Sequence, residues 1–345
     1  LFVGASGRME MVKVPKAGFK IIGIWIQALY RNSILKKILF PLKFIISVIH
    51  SFFILIKHKP IAVIGTGGFA SFPVVYTASF LGFNTYIQEQ NCYPGLANRL
   101  LGNRINRVFV AHDGMEQFFP KNKIMNLGNP VRKSLKLDAA SKKESREFFG
   151  LEEDIFTILV IGGSLGARSI NQEVAEFRSR YCRKDRDDVD FQYPCQIIWQ
   201  TGVEPPNSIQ SKYYDISYNA IVFGIDEEYR VSKHEFIDRM DLAYHAADVV
   251  VSRAGAIAIA EICYLSKASI LIPSPNVTAD HQTINAEYLK NNAAAIVFSE
   301  KEIDDQWKDF SQMCEEGQLV GTYDCVWLAE LIKSLMNDHK YHKKL

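Results

Sequence analysis

The chain has 345 residues, 48% of them hydrophobic, and 40 Lys and Arg residues nearly cancel 38 Asp and Glu residues, for a formal net charge of +2. The length predicts two domains, the hydrophobic content argues against disorder, and the balanced charge argues against a general nucleic-acid binder. The six cysteines form no CxxC pair and no His/Cys ligand spacing, which favours a reduced cytoplasmic protein without a structural metal.

The start of the chain predicts the end of a strand running into a turn at residues 1–4. No basic segment precedes an apolar core there and no small-residue cleavage pattern follows, so we expect no signal peptide. A turn and a short amphipathic segment are predicted over residues 6–19.

Residues 34–56 form an apolar run whose length approaches a bilayer span. Pro41, Lys43 and His50 interrupt this run, and lysines flank both of its ends. We predict a helix that shares an apolar, basic-rimmed face with a membrane surface. A plain core helix and a transmembrane helix are the alternatives.

A glycine cluster follows the strand predicted at residues 61–64. Gly65, Gly67 and Gly68 leave backbone N–H groups free to face an anion, as a phosphate-binding turn does. A polar run at residues 88–91 follows the next strand, and a helix at 96–101 carries Asn98. A proline-marked stop at residues 127–132 closes this half, and we predict a first domain over residues 1–134.

The second domain, predicted over residues 135–324, starts with a charged linker and a second strand and glycine turn at residues 157–168. A charged insertion at 181–192 and strands at 196–202 and 220–223 follow. A final amphipathic helix is predicted at 327–336, and we expect the segment 325–345 to pack back on the first domain.

The stretch 249–286 has the pattern of a nucleotide-binding βαβ unit. Val249, Val250 and Val251 predict a buried parallel strand, and the small residues at 254–256 permit a tight turn into a helix. Glu261 lies in the first two turns of that helix, where a carboxylate can accept two ribose hydroxyl hydrogen bonds. A second strand at 268–273 and a polar loop at 280–286 complete the unit. An ordinary βαβ unit without a ligand is the alternative.

Seven motifs carry a resemblance to a known family. They are residues 65–68 (GTGG), 89–91 (EQN), 128–132 (GNPVR), 162–168 (GGSLGAR), 236–237 (FI), 252–256 (SRAGA) and 280–286 (DHQTINA). In this order and spacing the chain resembles the bacterial MurG-type enzymes of glycosyltransferase family 28. The resemblance implies an α/β protein of the GT-B class, with two Rossmann-like domains facing across a cleft.

The resemblance also implies an activity and a location. A MurG-type enzyme is an inverting transferase that moves GlcNAc from UDP-GlcNAc to undecaprenyl-pyrophosphoryl-MurNAc-pentapeptide (lipid I), giving lipid II for peptidoglycan. It implies a peripheral protein at the cytoplasmic face of the bacterial inner membrane, with an anionic membrane surface as partner. No cofactor, metal or nucleic acid is expected.

The resemblance assigns site residues one by one. The implied donor-binding residues are Asn91, Arg132, Gly163, Ser164, Ile237, Ala256, Ile257, Glu261 and Gln282. The implied acceptor pyrophosphate residues are Gly65, Gly67, Gly68 and Asn98. Uracil would contact the backbone of Ile237 and the ribose would bind Glu261, while Glu89 would line the cleft.

The sequence departs from the family pattern in two places. The family's first glycine-rich loop, with a histidine considered for the role of base, is missing, so the general base stays unassigned. His112, His245 and His281 are expected to be surface or supporting residues. Ala258 stands where the family usually has a hydroxyl residue, which predicts weaker donor binding.

The missing loop leads to a further expectation. If residues 1–4 are the second strand of a sheet ordered 3-2-1-4-5, the central strand is absent. We then expect a damaged N-terminal half with little or no transferase activity and a C-terminal half that still binds UDP.

Other functions compete with the transferase interpretation. A dinucleotide-dependent oxidoreductase would need GxGxxG after its first strand, and none of the glycine clusters fits that pattern. Another GT-B enzyme, such as a diacylglycerol glycosyltransferase or a UDP-sugar epimerase, stays open. So does a chain that binds nucleotide without turnover.

Overall fold

The structure is a computed structural model, and it forms two compact units, residues 1–129 and 130–345. It describes residues 1–28, 34–136, 140–163, 166–182, 184, 195–202, 224–226, 228–275, 277, 280–303, 305, 328 and 332. Each unit is described below by itself.

Unit 1 alternates short parallel strands with helices. Its elements are β1 (Phe2–Ala5), α1 (Glu10–Lys16), β2 (Ile21–Ile24), α2 (Ile34–His58), β3 (Ala62–Gly65), α3 (Ser71–Phe80), β4 (Asn84–Glu89), α4 (Leu96–Leu101), β5 (Arg107–Val110) and β6 (Ile124–Asn126). β1 pairs with β2, and a separate sheet has the order β3-β4-β5-β6, with every pair parallel. Parallel pairing follows from the helical crossovers between successive strands.

The two sheets of unit 1 do not join. Within the described residues β1 bonds only to β2, and β3 bonds only to β4. The N–H of Ala5, which faces away from β2, donates to the Glu10 carboxylate at 3.0 Å. A side chain therefore satisfies one backbone donor at the edge of β1 that no described strand covers.

Unit 2 contains a single seven-stranded sheet. Its elements are α5 (Lys142–Phe148), β7 (Phe156–Ile161), α6 (Arg168–Tyr181), β8 (Cys195–Gln200), β9 (Gly224–Asp226), β10 (Val231–His234), α7 (Met240–Ala246), β11 (Val249–Ser252), α8 (Ala256–Tyr264), β12 (Ala268–Leu271), α9 (His281–Asn291) and β13 (Ile296–Val297). The sheet order is β13-β12-β11-β7-β8-β10-β9, and the pairs are parallel except for β9 with β10.

The core of unit 2 lies on both faces of this sheet. Ile158 and Val160 of β7 pack into one buried cluster, and the alternating residues Leu159 and Ile161 pack into the other. A strand covered on both faces needs apolar residues without alternation, as the run TILVI provides. Both predicted parallel-sheet halves are thus present, which confirms the two-domain α/β class.

Most predicted elements are confirmed within a residue or two, including the strand at Val249 and the helix that carries Glu261. The prediction omitted five strands: β2, β6, β9, β10 and β13. These strands have two to four residues, which is too short for a clear period. The predicted strand 220–223 and most of the insertion 181–192 lie outside the described residues. So does the final helix, except Leu328 and Ile332, which are buried in the core of unit 2.

The helix α2 is not a plain core helix. Six apolar side chains spaced three or four residues apart are between 40% and 68% exposed, and they form one stripe: Ile38, Leu42, Ile45, Ile49, Phe52 and Ile56. The opposite face buries Ile54 and Leu55 together with Ser47 and Ser51, whose hydroxyls bond to carbonyls within the helix. The segment Ile38–His58 is long and apolar enough to cross a membrane by length and composition alone.

Candidate functional site

The loop between β3 and α3 has the backbone of an anion-binding turn. Gly67 and Gly68 have φ angles of 91° and 74°, which side-chain-bearing residues rarely adopt. A Cβ on Gly65 would lie 2.9 Å from Val75 Cγ2, so only glycine lets α3 approach the strand this closely. The loop thus has the glycine backbone that the predicted phosphate-binding turn requires, and its contact with a phosphate stays a prediction.

The Glu89 carboxylate is closed off by its neighbours. Its Oε1 accepts from the Asn91 backbone N–H at 3.1 Å and from Asn91 Nδ2 at 3.3 Å. Its Oε2 accepts from the Gly95 N–H at 3.0 Å and from Asn98 Nδ2 at 2.8 Å. With only 2% of its surface exposed, this side chain holds the 90–98 loop together. The cleft-lining role predicted for Glu89 stays a prediction.

Asn98, a predicted pyrophosphate ligand, is also 2% exposed. Its Nδ2 donates to Glu89 and to the Gln88 carbonyl, at 2.8 and 3.2 Å, and its Oδ1 has no hydrogen bond to any residue that the structure describes. An amide whose two N–H groups are both engaged has no donor left for a phosphate. Its contact with an acceptor stays a prediction.

A chain of amides crosses the same edge of unit 1, and the sequence-based assignment missed it. Gln90 Nε2 donates to the Thr66 carbonyl at 2.8 Å and to Gln88 Oε1 at 2.6 Å. Gln88 Nε2 donates to Asn129 Oδ1, and Asn129 Nδ2 donates back to the Gln90 carbonyl, both at 2.9 Å. These bonds tie the glycine loop to the strand ends beside it. The polar run 88–91, at the carboxyl end of β4, was the signal for this network.

In unit 2 the glycines of the turn between β7 and α6 allow neighbouring groups to approach its backbone closely. Gly163 has a φ angle of 86° and open space where a Cβ would be. A Cβ on Gly166 would lie 2.4 Å from the Thr201 carbonyl oxygen, so no other residue fits there. The predicted phosphate ligand Ser164 lies outside the described residues.

The carboxylate of Glu261, on α8, is 2% exposed. Tyr244 of α7, itself fully buried, donates its hydroxyl to Oε2 at 3.1 Å. Arg132 Nε lies 2.9 Å from Oε1, and the Arg132 side chain is 45% exposed. Oε1 has no hydrogen bond of good geometry to any described residue, although this ion pair is close. The structure thus brings together Arg132 and Glu261, two of the predicted donor residues.

These contacts have opposite effects on the ionisation of Glu261. Burial raises the pKa of its carboxyl, while the Arg132 charge and the Tyr244 hydrogen bond lower it, and burial dominates, so the pKa lies above its ordinary value. Burial, followed by the nearby Glu261 charge, raises the pKa of the Tyr244 phenol. The phenol therefore stays protonated and acts as a donor.

Two further predicted donor residues have one group engaged and one group available. The Ile237 N–H donates to Gln200 Oε1 at 3.1 Å, which leaves its carbonyl as the backbone group for a base. Gln282 Oε1 accepts from the Ser274 N–H at 2.9 Å, and its amide nitrogen bonds to no described residue. Ala256 and Ile257 form the first turn of α8, next to the N-cap Gly255. Asn91 belongs to unit 1, so its contact with the sugar-nucleotide donor stays a prediction.

An ion pair that the sequence analysis did not predict, between Arg253 and Glu300, connects loops at the carboxyl edge of the unit 2 sheet. Arg253 donates to Glu300 Oε1 at 2.7 Å and to the Ile272 and Pro273 carbonyls at 3.2 and 3.3 Å. The Ser169 hydroxyl also donates to Glu300. The turn after β11, the start of α6 and the end of β12 are therefore linked around the Glu300 carboxylate. The residues involved are too far apart in the sequence for the cluster to be predicted from it.

The three histidines occupy separate positions. His112 follows β5, where burial lowers the pKa of its imidazole, with the Gln90 carbonyl and the charges of Asp113 and Glu89 opposing that effect. His245 Nδ1 lies 2.6 Å from the Asp241 carbonyl oxygen, and His281 begins α9. Ala258 lies in the first turn of α8, where its methyl group offers no hydrogen bond.

Comparison with known proteins gives matches across both units. The model of the glycosyltransferase family 28 N-terminal domain matches residues 2–110, and that of the C-terminal domain matches residues 157–308. A protein of Flavobacterium psychrophilum is 44% identical over 89% of this chain and 78% of its own length. One of Parabacteroides distasonis is 41% identical over 88% of this chain and 77% of its own length. Both are named UDP-N-acetylglucosamine--N-acetylmuramyl-(pentapeptide) pyrophosphoryl-undecaprenol N-acetylglucosamine transferase.

Solved structures share the fold. A crystal structure of Acinetobacter baumannii MurG matches with a TM-score of 0.64 and 24% identity, covering 97% of this chain and 82% of that chain. A UDP-N-acetylglucosamine 2-epimerase matches with a TM-score of 0.54 and 13% identity, covering 99% of this chain and 81% of that one. At these identities the likeness concerns the fold alone.

Proposed function

Because this chain belongs to the MurG-type enzymes of glycosyltransferase family 28, we propose that it transfers GlcNAc from UDP-GlcNAc to undecaprenyl-pyrophosphoryl-MurNAc-pentapeptide. The product is lipid II, the lipid-linked precursor of peptidoglycan. The observation that carries the proposal is 44% identity over 89% of the chain to a transferase of that name.

Unit 2 supplies the donor site in this proposal. The ribose diol donates to Glu261, the uracil N3–H donates to the Ile237 carbonyl, and the amide nitrogen of Gln282 donates to the sugar. The diphosphate lies against the Gly162–Gly163 turn and the N-terminus of α8, whose backbone N–H groups favour negative charge. These groups stabilise the departing UDP as charge develops on it.

Attack in this reaction comes from the C4 hydroxyl of the muramoyl sugar on the anomeric carbon, with inversion from α to β. Unit 1 supplies the acceptor pyrophosphate site at Gly65, Gly67 and Gly68. The hydroxyl needs a base within hydrogen-bond reach, and none of the three histidines is assigned that role.

The acceptor carries a polyprenyl chain that stays in a bilayer, so the enzyme has to reach the membrane. The exposed stripe on α2 fits this need, since an apolar helix face binds at the interface while lysines contact anionic head groups. It borders an apolar groove of about 320 Å³ that includes Ile49, Phe52, Tyr76 and Phe80. We therefore propose peripheral binding at the cytoplasmic face of the inner membrane.

An acceptor comparison tests the proposed reaction. The purified protein is incubated with labelled UDP-GlcNAc and either lipid I, diacylglycerol or no acceptor, and lipid products are separated. We expect label only with lipid I, and its appearance would also contradict the sequence-based expectation of little or no transferase activity. Labelled glycolipid from diacylglycerol would contradict the proposal, and so would UDP-ManNAc formed without acceptor, which an epimerase would make.

Vesicle binding tests the membrane surface. Ile45→Ser with Ile49→Ser in the α2 stripe should reduce sedimentation with anionic vesicles, and salt should weaken the binding of the unmodified protein. Ile61→Ser is the matched control, because Ile61 is 92% exposed but lies outside α2. Alkaline carbonate should release the bound protein. Retention after that wash would favour a transmembrane α2.

A further inference from the structure

We propose that Tyr244 is a positioning residue for nucleotide recognition, which holds the Glu261 carboxylate so that its second oxygen meets the ribose. The proposal rests on the proposed function, which makes Glu261 the ribose ligand. It adds a residue that contacts no substrate and acts through its hydroxyl alone.

The geometry gives the two carboxylate oxygens different tasks. Tyr244 reaches Oε2 from α7, 17 residues earlier in the chain than Glu261, and it is the largest buried side chain of its helix. A buried phenol with one charge-assisted hydrogen bond fixes the rotation of the carboxylate. Oε1 is left without a well-directed hydrogen bond from any described residue. A buried carboxylate oxygen in that state favours a ligand that donates to it.

Arg132 now occupies the place that this ligand would take. Its Nε lies 2.9 Å from Oε1, and Oε1 has almost no solvent-accessible surface. A ribose hydroxyl can therefore reach Oε1 only after the guanidinium moves. Such a movement is feasible because the Arg132 side chain is 45% exposed, whereas Tyr244 is fully buried and keeps its place.

Removal of the Tyr244 hydroxyl should therefore act on the ribose contact and nowhere else. Tyr244→Phe keeps the ring that packs in the core of unit 2 but releases the carboxylate to rotate. Among the described neighbouring residues, the charged Arg132 and the neutral, titratable Tyr244 act on the ionisation of Glu261. Without the tyrosine hydrogen bond, protonation of Glu261 becomes easier, and the acid limb of UDP binding should move to higher pH.

The experiment measures the affinity of the full chain for UDP and for 2′,3′-dideoxy-UDP by calorimetry, as a function of pH. The unmodified protein should prefer UDP by roughly tenfold or more, the range for hydrogen bonds to a charged group. Tyr244→Phe should reduce this preference at least threefold and raise the donor KM, with kcat at saturating donor unchanged. Tyr264→Phe, on the exposed face of α8, is the matched control and should change neither.

Melting curves would show whether Tyr244→Phe folds poorly. A second set of variants tests the inference in that case. Glu261→Gln leaves the tyrosine untouched and should reduce the preference for UDP by itself. If Tyr244 acts through Glu261, adding Tyr244→Phe to Glu261→Gln should cause no further loss.

The outcomes separate this inference from the proposed function. A folded Tyr244→Phe protein with an unchanged preference for UDP and an unchanged acid limb would overturn the inference. Equal affinity of the unmodified protein for the two nucleotides would overturn it as well. Neither result affects the transferase proposal, which stands or falls on product formation with lipid I.

Discussion

Glu89 and Glu261 are two equally buried carboxylates, each 2% exposed, in the two units of the molecule. Glu89 accepts four hydrogen bonds from its own loop, whereas Glu261 accepts one, from Tyr244, and otherwise faces an exposed arginine. Burial alone therefore does not distinguish the two carboxylates. The number of hydrogen-bond donors that the fold already supplies does distinguish them, and the unfilled oxygen of Glu261 is the acceptor that we propose for a ribose hydroxyl.

The largest effect is expected from Glu89→Ala. This change removes the acceptor of four hydrogen bonds, of which the one from Asn98 is buried and the other three are part-buried, at a cost of about 3 kcal/mol in the free energy of unfolding. A fall of about 10 °C in the melting temperature of unit 1 should follow, measured by calorimetry. Glu116→Ala, at an exposed site in the same unit, is the control. If the two variants melted alike, Glu89 would not hold the loop together.

Glu261→Ala should have the opposite profile, with a large effect on binding and a small one on stability. Loss of the ribose contact should raise the donor KM at least tenfold, equivalent to roughly 1.5–3 kcal/mol, while acceptor binding stays nearly unchanged. Steady-state kinetics with each substrate varied in turn would measure both. Unaltered donor kinetics would show that Glu261 is not the ribose ligand.

The pH dependence of UDP binding should depend on Glu261. Its carboxyl has a raised pKa, caused first by burial, and only the ionised form accepts both hydroxyl hydrogen bonds. UDP affinity should therefore be full above this raised pKa and fall as the pH drops through it. The same shift makes folding stability fall as pH rises from the unfolded to the folded pKa, since the folded state holds the proton longer. Glu261→Gln should remove both dependences, and persistence of the acid limb in that variant would assign it elsewhere.

The smallest effect is expected from Arg132→Met. Loss of the guanidinium removes a charge that lowers the pKa of Glu261, so the acid limb of UDP binding should move to higher pH. Because the arginine side chain is 45% exposed and its charge is partly screened by solvent, stability should fall by about 1 kcal/mol or less. At pH values well above the limb, the preference for UDP over its dideoxy analogue should persist. Its disappearance there would mean that Arg132 holds the ribose itself.

Sequence reasoning predicted Glu261 because its position is local, in the first turns of a helix that follows a buried strand. It did not find Tyr244, because a tyrosine within an apolar helix has the pattern of any core residue. The hydrogen bonds around Glu89 were missed for a related reason. The sequence places a carboxylate after a strand, but it does not show that residues 91, 95 and 98 turn back and donate to it.

The sequence by itself determined the longer strands, the glycine turns and the order of the motifs, since these depend on spacing along a few residues. Only the tertiary structure decided which polar atoms are already paired. Arg132 and Glu261 are 129 positions apart, and Arg253 and Glu300 are 47 apart. Pairing over such distances depends on the strand order, which brings β11 beside β7 and sets α7 against α8. The exposed stripe of α2 was decided in the same way, because an apolar run is identical in sequence whether its outer face meets protein or solvent.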